Sequence, residues 1–304
     1  MNDYLDRPLL IVIFGITGDL SQRKLLPALY HLLKHNQLPE KFAVVGISRH
    51  DVQVAEVYKN LHLKIHGEDY DASIVERLMS ATKMVQMDLD TVSDYETLLE
   101  KLRVLSDTLG PGVTRLYYLS IPAQAFVTVV HNLGETSHHE PFTEDGERPR
   151  LLVEKPFGYD TASAETLVRA ADEHFGEQQT FRIDHYLAKE TAQNILTFRF
   201  QNPLFQTIWN RKHIASIKVL AYETIGIENR VLFYEQTGAL RDFLQSHLLQ
   251  LLALVTMEKP ATTESAYIHK AKLRLLDSID TIRPEEVTEK AIRGQYDTYR
   301  TETG

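Results

Sequence analysis

The sequence contains no cysteine among its 304 residues. Disulfide bonds, cysteine-ligated zinc and thiol nucleophiles are therefore excluded. Long hydrophobic runs are missing too, since no apolar run approaches the roughly 18 residues that a membrane span needs. The first residues, Met1–Asp6, are acidic and lack the basic-then-apolar order of a signal peptide. Together these absences lead us to expect a cytoplasmic protein with no membrane partner.

Positive charge is also in short supply. The chain has 33 lysines and arginines against 42 aspartates and glutamates, which gives a net charge of −9. Because nucleic-acid binding needs a basic field, a nucleic-acid partner is not expected. A few local Lys and Arg side chains can still hold an anionic metabolite. With 43% hydrophobic and 25% charged residues, the composition is ordinary for a globular protein long enough for two domains.

The first 180 residues alternate short apolar runs with amphipathic stretches. This alternation predicts an α/β fold with a doubly wound parallel sheet, whose strands are buried on both faces. The predicted strands are Leu9–Phe14, Phe42–Ile47, Lys83–Met87, Arg115–Leu119 and Leu151–Val153. The predicted helices are Leu20–Leu33, Val54–Lys64, Ser93–Leu105, Ala123–Leu133 and Thr161–Phe175. The polar stretch Glu135–Pro149 is interpreted as an exposed loop.

The pattern changes after Asp184. A helix over Leu187–Thr197, a strand at Ser216–Tyr222 and an apolar helix near Leu240–Thr256 predict the beginning of an α+β domain. A single strand makes no sheet, and no closing element precedes Gly304. We therefore expect a Rossmann-type nucleotide-binding domain over residues 1–183 and an incomplete α+β domain over residues 184–304.

A glycine-bearing turn, Gly15–Leu20, lies between the first predicted strand and the first predicted helix. Glycine lets the backbone approach a pyrophosphate, and the following helix offers N–H donors and a positive dipole. The pattern is G-x-x-G and not the full G-x-G-x-x-G, so a plain strand–helix turn is the alternative. Its place in the strand–helix alternation favours a dinucleotide site.

The second predicted strand ends in Ser48-Arg49-His50. A cofactor with a free ribose 2′-hydroxyl usually meets an acidic side chain at this position. Arginine instead matches a 2′-phosphate by bidentate hydrogen bonding. Arg49 therefore favours NADP over NAD, with an ordinary surface arginine as the alternative.

The segment Arg182–Glu190 concentrates charged and aromatic side chains directly after the strand-like Phe181–Ile183. Polar side chains at strand ends are where open α/β sheets bind their ligands. Asp184 is a carboxylate able to orient a base. The remaining polar groups form a candidate anion site, made of His185, Tyr186 and Lys189.

Two further positions carry candidate chemistry. Lys155, at the carboxyl end of a predicted strand, is expected to face the cofactor crevice, with an ion pair to Glu154 as the alternative. His247 lies next to a polar stripe (Asp242, Ser246, Gln250) in the last apolar helix. A histidine that acts as a base needs a partner to set its tautomer, and Asp184 is a candidate. A satisfied core histidine is the alternative.

Taken together, these motifs resemble the glucose-6-phosphate dehydrogenase family. The most specific match is Arg182–Glu190, which follows the family signature Arg-Ile-Asp-His-Tyr-Leu-Gly-Lys-Glu. Less specific motifs are the phosphate loop, Ile13–Leu20, and the Glu-Lys-Pro-Phe-Gly run, Glu154–Gly158. The likeness continues along nearly the whole chain, through Phe198–Asn202, Ile208–Arg211, Gly238–Asp242 and Met257–Pro260.

The resemblance implies NADP-dependent oxidation of glucose 6-phosphate to 6-phosphogluconolactone. His247 is implied as the general base and Asp184 as the residue that orients it. The 6-phosphate would be held by His185, Tyr186 and Lys189, and the sugar hydroxyls by Lys155, Glu223 and Asp242. Cofactor contacts are implied for Gly15, Thr17, Gly18, Asp19, Leu20, Arg49 and Lys155. No metal is implied.

The chain departs from the family pattern in several places. Ala188 replaces the signature glycine, which a helix should tolerate. Phe126 stands where some members carry a tyrosine near the cofactor. Family members are considerably longer, and the part that they add completes the large sheet and most of the dimer interface. An inactive fragment or paralogue that at most binds nucleotide is therefore one alternative, and a dehydrogenase for an unphosphorylated sugar is another.

Overall fold

A computed structural model describes residues 5–65, 70–137, 149–155, 157–158, 160–224, 226–227 and 231–300. The chain forms two compact units, Met1–Ile183 and Asp184–Gly304. None of the helices in the described ranges is both long enough and apolar enough to cross a bilayer.

The first unit is built on a six-stranded parallel sheet. Its strands are β1 (Leu9–Phe14), β2 (Phe42–Ser48), β3 (Thr82–Gln86), β4 (Thr114–Leu119), β5 (Arg150–Glu154) and β6 (Thr180–Ile183). The strand order is β3-β2-β1-β4-β5-β6, and each neighbouring pair is parallel. This is the order of a doubly wound Rossmann sheet, which reverses direction between β1 and β4. The predicted fold class is confirmed for this unit.

Helices cover both faces of the sheet. They are α1 (Leu26–Lys34), α2 (Val54–Tyr58), α3 (Ala72–Ala81), α4 (Val92–Leu109), α5 (Ala123–Ser137) and α6 (Thr161–His174). Short 3₁₀ turns lie at Leu61–Leu63 and Glu177–Gln179. The helix predicted from Leu20 is π-helical over Ser21–Leu25 before it becomes α1.

The two sheet faces explain the apolar runs in the sequence. Along β1, Leu10, Val12 and Phe14 point into one hydrophobic core, whereas Ile11 and Ile13 point into the other. Because successive side chains of a strand alternate between faces, a strand covered on both sides must be apolar throughout. Because of this requirement, the central strands can be recognised in the sequence as continuous apolar runs.

Several boundaries in this unit differ from prediction. Helix α3 was not predicted, and the helix predicted over Val54–Lys64 is divided into α2 and a 3₁₀ turn. Helix α5 extends to Ser137, so the start of the predicted loop Glu135–Pro149 is helical. Residues 138–148 lie outside the described ranges. Phe126 is a buried core residue of α5.

All the regular elements of the second unit's described residues are helices, which are joined by irregular segments. Its elements are α7 (Glu190–Phe200), α8 (Pro203–Ile208), α9 (Val231–Ala239), a π-helical segment (Leu240–Leu248), α10 (Leu249–Thr256), α11 (Ser265–Asp277), a 3₁₀ turn (Pro284–Glu286) and α12 (Val287–Lys290). A small apolar core joins α7, α10 and α11 through Ala192, Leu254, Met257 and Ala271.

Two predictions for the second unit are wrong. Ser216–Tyr222 is not a strand, and Leu220 and Tyr222 are 69% and 85% exposed. A strand requires a hydrogen-bonded neighbour, and none of the described residues of this unit supplies one. Helix α7 begins at Glu190 instead of Leu187, so Ala188 lies in a turn. Asn36 is the one described non-glycine residue with positive φ, so the backbone at Ala188 does not require glycine.

Arg199 organises the core of the second unit. Its side chain is only 6% exposed and donates hydrogen bonds to the carbonyls of Leu254 (2.6 Å) and Met257 (2.9 Å). The guanidinium lies 5.7 Å from the ring centroid of Trp209. Burial lowers the pKa of Arg199 to about 10, so the side chain stays charged at neutral pH. One arginine therefore joins α7 to the carbonyls at the end of α10.

Candidate active site

The phosphate loop turns tightly between β1 and the first helix. The Gly15 N–H donates to the carbonyl of Ile47 at 3.1 Å, and the Gly18 N–H donates to the carbonyl of Gly15 at 2.9 Å. The hydroxyl of Ser21 donates to the same Gly15 carbonyl at 2.9 Å. These bonds hold the loop at the carboxyl end of β1, next to the point where the strand order reverses. Ligands of doubly wound sheets bind in this crevice.

Gly15 is required by the geometry of this loop. Its φ is +81°, and a Cβ at this position would lie 2.3 Å from the carbonyl oxygen of Ser120. The hydroxyl oxygen of Ser120 is buried and has no hydrogen-bond partner among the described residues. Gly15 therefore lets the loop pack against the backbone that follows β4, and the Ser120 hydroxyl next to it can donate to a ligand in the crevice. Ser120 was not predicted, although a polar residue directly after an apolar strand is the signal that could have found it.

The other predicted loop residues are positioned differently. Thr17 is exposed, and Gly18 and Leu20 are half-buried. The carboxylate of Asp19 pairs with Arg23 at 3.4 Å, in an exposed i,i+4 ion pair. Since a carboxylate repels phosphate, a cofactor contact by Asp19 has to come from its backbone.

Arg49 directly follows β2 and is exposed. Its carbonyl accepts a hydrogen bond from the side-chain amide of Gln86 at 3.1 Å, which ties the end of β2 to the end of β3. The backbone is held by this bond, and the side chain is exposed at the carboxyl end of β2. This arrangement suits a contact with a ribose 2′-phosphate.

Lys155 follows β5 and is half-buried. Next to it, Glu154 accepts a hydrogen bond from the hydroxyl of Tyr118 on β4. Burial and this carboxylate both raise the pKa of Tyr118, with burial the larger cause. The Tyr118–Glu154 hydrogen bond joins the ends of two neighbouring strands. It therefore fixes the strand end that Lys155 directly follows.

His247 and Asp184 form a hydrogen-bonded pair in the second unit. The distance from His247 Nδ1 to Asp184 Oδ1 is 2.7 Å, and the histidine side chain is 1% exposed. Because a carboxylate only accepts hydrogen bonds, Nδ1 carries the proton and Nε2 of the neutral ring keeps its lone pair. The pair therefore has the arrangement of a general base and its orienting carboxylate.

The signature segment holds Asp184 in place by its own backbone. The Tyr186 N–H donates to Asp184 Oδ1 at 2.9 Å, and the Leu187 N–H donates to the Asp184 carbonyl at 3.1 Å. Asp184 Oδ2 is buried and has no hydrogen-bond partner among the described residues. One carboxylate oxygen thus serves the histidine and the turn, which fixes its direction.

Aromatic rings enclose the imidazole of His247. The Tyr186 ring stacks on it with centroids 4.3 Å apart, and the His185 ring meets it edge-on at 4.6 Å. Phe243, one helical turn earlier, lies edge-on at 5.7 Å. The rings limit rotation of His247 and exclude water from its sides, so the imidazole is held in one orientation.

Tyr186 links the pair to the predicted anion site. The Lys189 ammonium lies 4.2 Å from the centroid of its ring. Burial raises the pKa of the Tyr186 hydroxyl, and the carboxylates of Glu223 and Asp184 raise it further. His185, Tyr186 and Lys189 are therefore brought together, with Glu223 close to the tyrosine. Asp242, which is half-buried, lies in the first turn of the π-helical segment that carries His247.

Lys272 is a cation of this site that was not predicted. It lies on α11 and donates to the side-chain oxygen of Gln250 at 3.0 Å. Burial lowers its pKa, whereas the charge of Asp184 acts in the opposite direction. Gln250 belongs to the polar stripe noted in the sequence, but nothing in the local sequence connects that stripe to Lys272.

The sheet order and the phosphate loop define the first unit as a dinucleotide-binding domain of the Rossmann class, and the second unit carries a carboxylate–histidine pair. Residues 12–194 match the family model "Glucose-6-phosphate dehydrogenase, NAD binding domain", and residues 196–303 match "Glucose-6-phosphate dehydrogenase, C-terminal domain". The chain belongs to the glucose-6-phosphate dehydrogenase family.

Curated relatives agree with the family models. The chain is 40% identical over 296 residues to a glucose-6-phosphate 1-dehydrogenase of Chlamydia muridarum, a match that covers 95% of this chain and 57% of the relative. It is 35% identical to the enzyme of the same name from Bacillus subtilis, with 94% and 57% covered. The chain thus spans a little over half the length of these relatives.

Solved structures give the same result. A glucose-6-phosphate dehydrogenase in complex with its substrate glucose-6-phosphate matches with a TM-score of 0.84 at 30% identity, covering 94% of this chain and 59% of that one. A glucose-6-phosphate 1-dehydrogenase from Mycobacterium avium matches with a TM-score of 0.81 at 32% identity, covering 96% and 61%.

Proposed function

We propose that the chain catalyses NADP-dependent oxidation of D-glucose 6-phosphate to 6-phospho-D-glucono-1,5-lactone, the first step of the oxidative pentose phosphate pathway. The observation that carries the proposal is the 2.7 Å hydrogen bond between His247 and Asp184. The second of these residues belongs to the signature segment of the family. The substrate and the cofactor in this proposal are inferred from membership of the family.

NADP fits the first unit. The glycine-bearing loop lies at the carboxyl end of β1, where a pyrophosphate can meet the backbone N–H groups of the following helix, and the Ser120 hydroxyl beside Gly15 can donate to it. Arg49 at the end of β2 supplies the cation for a 2′-phosphate. When bound, NADP would supply the acceptor for the hydride that leaves C1 of the sugar. Lys155 is proposed to orient the nicotinamide and to hold a sugar hydroxyl.

His247 is the proposed general base. Its Nε2 takes the proton of the C1 hydroxyl as the C1–H bond breaks, and the C1–O bond becomes the lactone carbonyl. Asp184 keeps the proton on Nδ1 and stabilises the imidazolium that forms. The Tyr186 and His185 rings keep the imidazole in one orientation, so no reorientation is needed at the moment of transfer.

The anion site is proposed to hold the 6-phosphate. Lys189 supplies a charge, and the Tyr186 hydroxyl, whose pKa is raised, remains protonated and donates. His185 adds a ring nitrogen. Glu223 and Asp242 are proposed to accept hydrogen bonds from sugar hydroxyls. In this assignment, residues 1–183 bind NADP, and residues 184–304 supply the substrate contacts other than that of Lys155. A homo-oligomer is implied for the family and is not proposed for this chain.

The direct test is NADPH absorbance after addition of substrate to the purified chain. We expect turnover with glucose 6-phosphate that exceeds turnover with glucose by about 100-fold or more, because charge-assisted bonds to the phosphate are lost with glucose. Equal rates with the two sugars would instead identify a dehydrogenase for unphosphorylated sugars. No NADPH with either sugar would contradict the proposed activity.

A second candidate is a nucleotide-binding protein without turnover. It is favoured by the exposed, unpaired segment Ser216–Tyr222, which leaves the described residues of the second unit without a sheet. Thermal unfolding separates the two candidates. Stabilisation by NADP with no NADPH formation supports the second, whereas stabilisation together with turnover supports the first.

Replacing Arg49 with glutamate is expected to reverse the cofactor preference. The carboxylate repels the 2′-phosphate of NADP and can accept from the 2′-hydroxyl of NAD. We expect the dissociation constant for NADP to rise about 10- to 100-fold, as for the loss of one or two charge-assisted hydrogen bonds. The constant for NAD should change little or fall. Titration calorimetry with both nucleotides measures this, with R103E, on the exposed surface of α4, as the matched control.

A further inference from the structure

A cluster of potential metal ligands lies on the surface of the first unit, between α5 and α6. His131 and Glu135 are both exposed and are four residues apart on α5, so their side chains lie on the same face of the helix. His174, the last residue of α6, joins them from the neighbouring helix. None of the three belongs to the proposed dehydrogenase site.

The spacing of the donor atoms matches a metal centre. One donor atom from each residue lies within 4.8 Å of the others, and His131 Nδ1 is 3.3 Å from His174 Nε2. Zinc–nitrogen bonds of about 2.0–2.1 Å in a tetrahedral arrangement place two nitrogens about 3.3–3.4 Å apart. The two imidazoles are therefore separated as zinc requires.

A glycine brings the second histidine close to α5. A Cβ on Gly134 would lie 2.1 Å from Cγ of His174. The imidazole thus packs directly over the backbone of α5, which is possible only because Gly134 has no side chain. Any other residue would push His174 away from His131, so the backbone itself preorganises the pair.

The ligand set selects the kind of cation. Imidazole nitrogens suit zinc and other late first-row metals, whereas magnesium and calcium prefer all-oxygen sites. Two histidines and one carboxylate leave a position for water. We propose that His131, Glu135 and His174 bind a zinc-class divalent cation, which cross-links α5 to α6 and stabilises the first unit. In the absence of metal, the two rings share a hydrogen bond.

The test is zinc binding to the EDTA-treated chain, measured by competition with a chromophoric chelator and by thermal unfolding. We expect H131Q, E135Q and H174Q each to weaken binding by about 10-fold or more, because each removes a ligand. With zinc about 100-fold above the dissociation constant, the melting temperature of the native chain should rise by about 5 °C. EDTA should reverse the rise.

Two controls distinguish this site from other zinc ligands. Asp184, His185 and His247 form a second group with close donor atoms, so H247N must leave the zinc affinity of the α5–α6 site unchanged. H213Q replaces an exposed histidine outside both groups and should have no effect. Loss of zinc binding in H247N with retention in H131Q and E135Q would overturn the proposal. Failure of the native chain to bind zinc with a dissociation constant in the micromolar range or below would also overturn the proposal.

Discussion

Replacing His247 with asparagine is expected to lower kcat for glucose 6-phosphate by about 100- to 10,000-fold, the contribution typical of a general base. Asparagine retains a donor for Asp184 Oδ1 and fits between the surrounding rings. It lacks the basic nitrogen that accepts the C1 hydroxyl proton. Because the phosphate-binding residues are unchanged, KM should move far less than kcat. Initial rates of NADPH formation at saturating NADP measure both quantities.

A double-variant cycle tests whether Asp184 acts through His247. Asp184 is a positioning residue in this mechanism, so D184N alone should lower kcat, whereas adding D184N to H247N should cost little more. H213N, which changes an exposed histidine of the same unit, is the matched control. A kcat for H247N within a few-fold of the unaltered chain would remove His247 from the mechanism. Additive losses in the double variant would separate the roles of the two residues.

Replacing Arg199 with alanine is expected to lower the free energy of unfolding of the second unit by about 3 kcal/mol, since two buried carbonyls lose a charged donor at once. The carbonyls of Leu254 and Met257 lie near the end of α10, where no further helical N–H reaches them. The packing of the guanidinium on Trp209 is lost as well. The effect is large because no other side chain among the described residues replaces the two hydrogen bonds that the Arg199 guanidinium donates.

Trp209 makes this prediction directly measurable. It is the only tryptophan of the chain, and its ring N–H donates to the carbonyl of Val255 at 2.9 Å. Urea unfolding followed by tryptophan fluorescence therefore reports the second unit. R199K should recover only part of the lost stability, because an ammonium lacks the planar guanidinium geometry that reaches both carbonyls at once. R211A, at an exposed arginine, serves as the control. An unchanged midpoint in R199A would show that Arg199 does not hold α7 to α10.

The core of the first unit was largely predictable. Strand β1 was predicted with its observed bounds, and β2, β4 and β5 to within a residue at either end. Strands β1 and β2 are buried on both faces, and this burial requires the continuous apolar runs that the sequence displays. In β4 and β5, buried residues occur together with half-buried ones. Helix α3 was missed although its sequence carries a helical signal, since Val75 and Leu78 lie on one buried face and Asp71 caps its N-terminus.

The second unit was harder to predict. Ser216–Tyr222 has the β-branched and aromatic composition of a strand, but composition supplies no neighbour to complete a ladder. Helix α11 was missed for a related reason, since its apolar residues become meaningful only against α7 and α10. The signature segment was expected to enter a helix at Leu187, whereas hydrogen bonds of the Asp184 turn delay the helix to Glu190.

The sequence by itself determined the alternating α/β pattern, the phosphate loop, the strand-end cations and the resemblance to one enzyme family, because these depend on local backbone geometry and on burial of consecutive residues. Only the tertiary structure decided which side chains meet. The 2.7 Å contact between Asp184 and His247 joins residues 63 positions apart. Ser120 beside Gly15, Lys272 beside Gln250, and His174 over Gly134 are contacts of the same kind. Such pairs carry no local signal, since they arise when separate elements pack together and bring distant polar groups within hydrogen-bonding range.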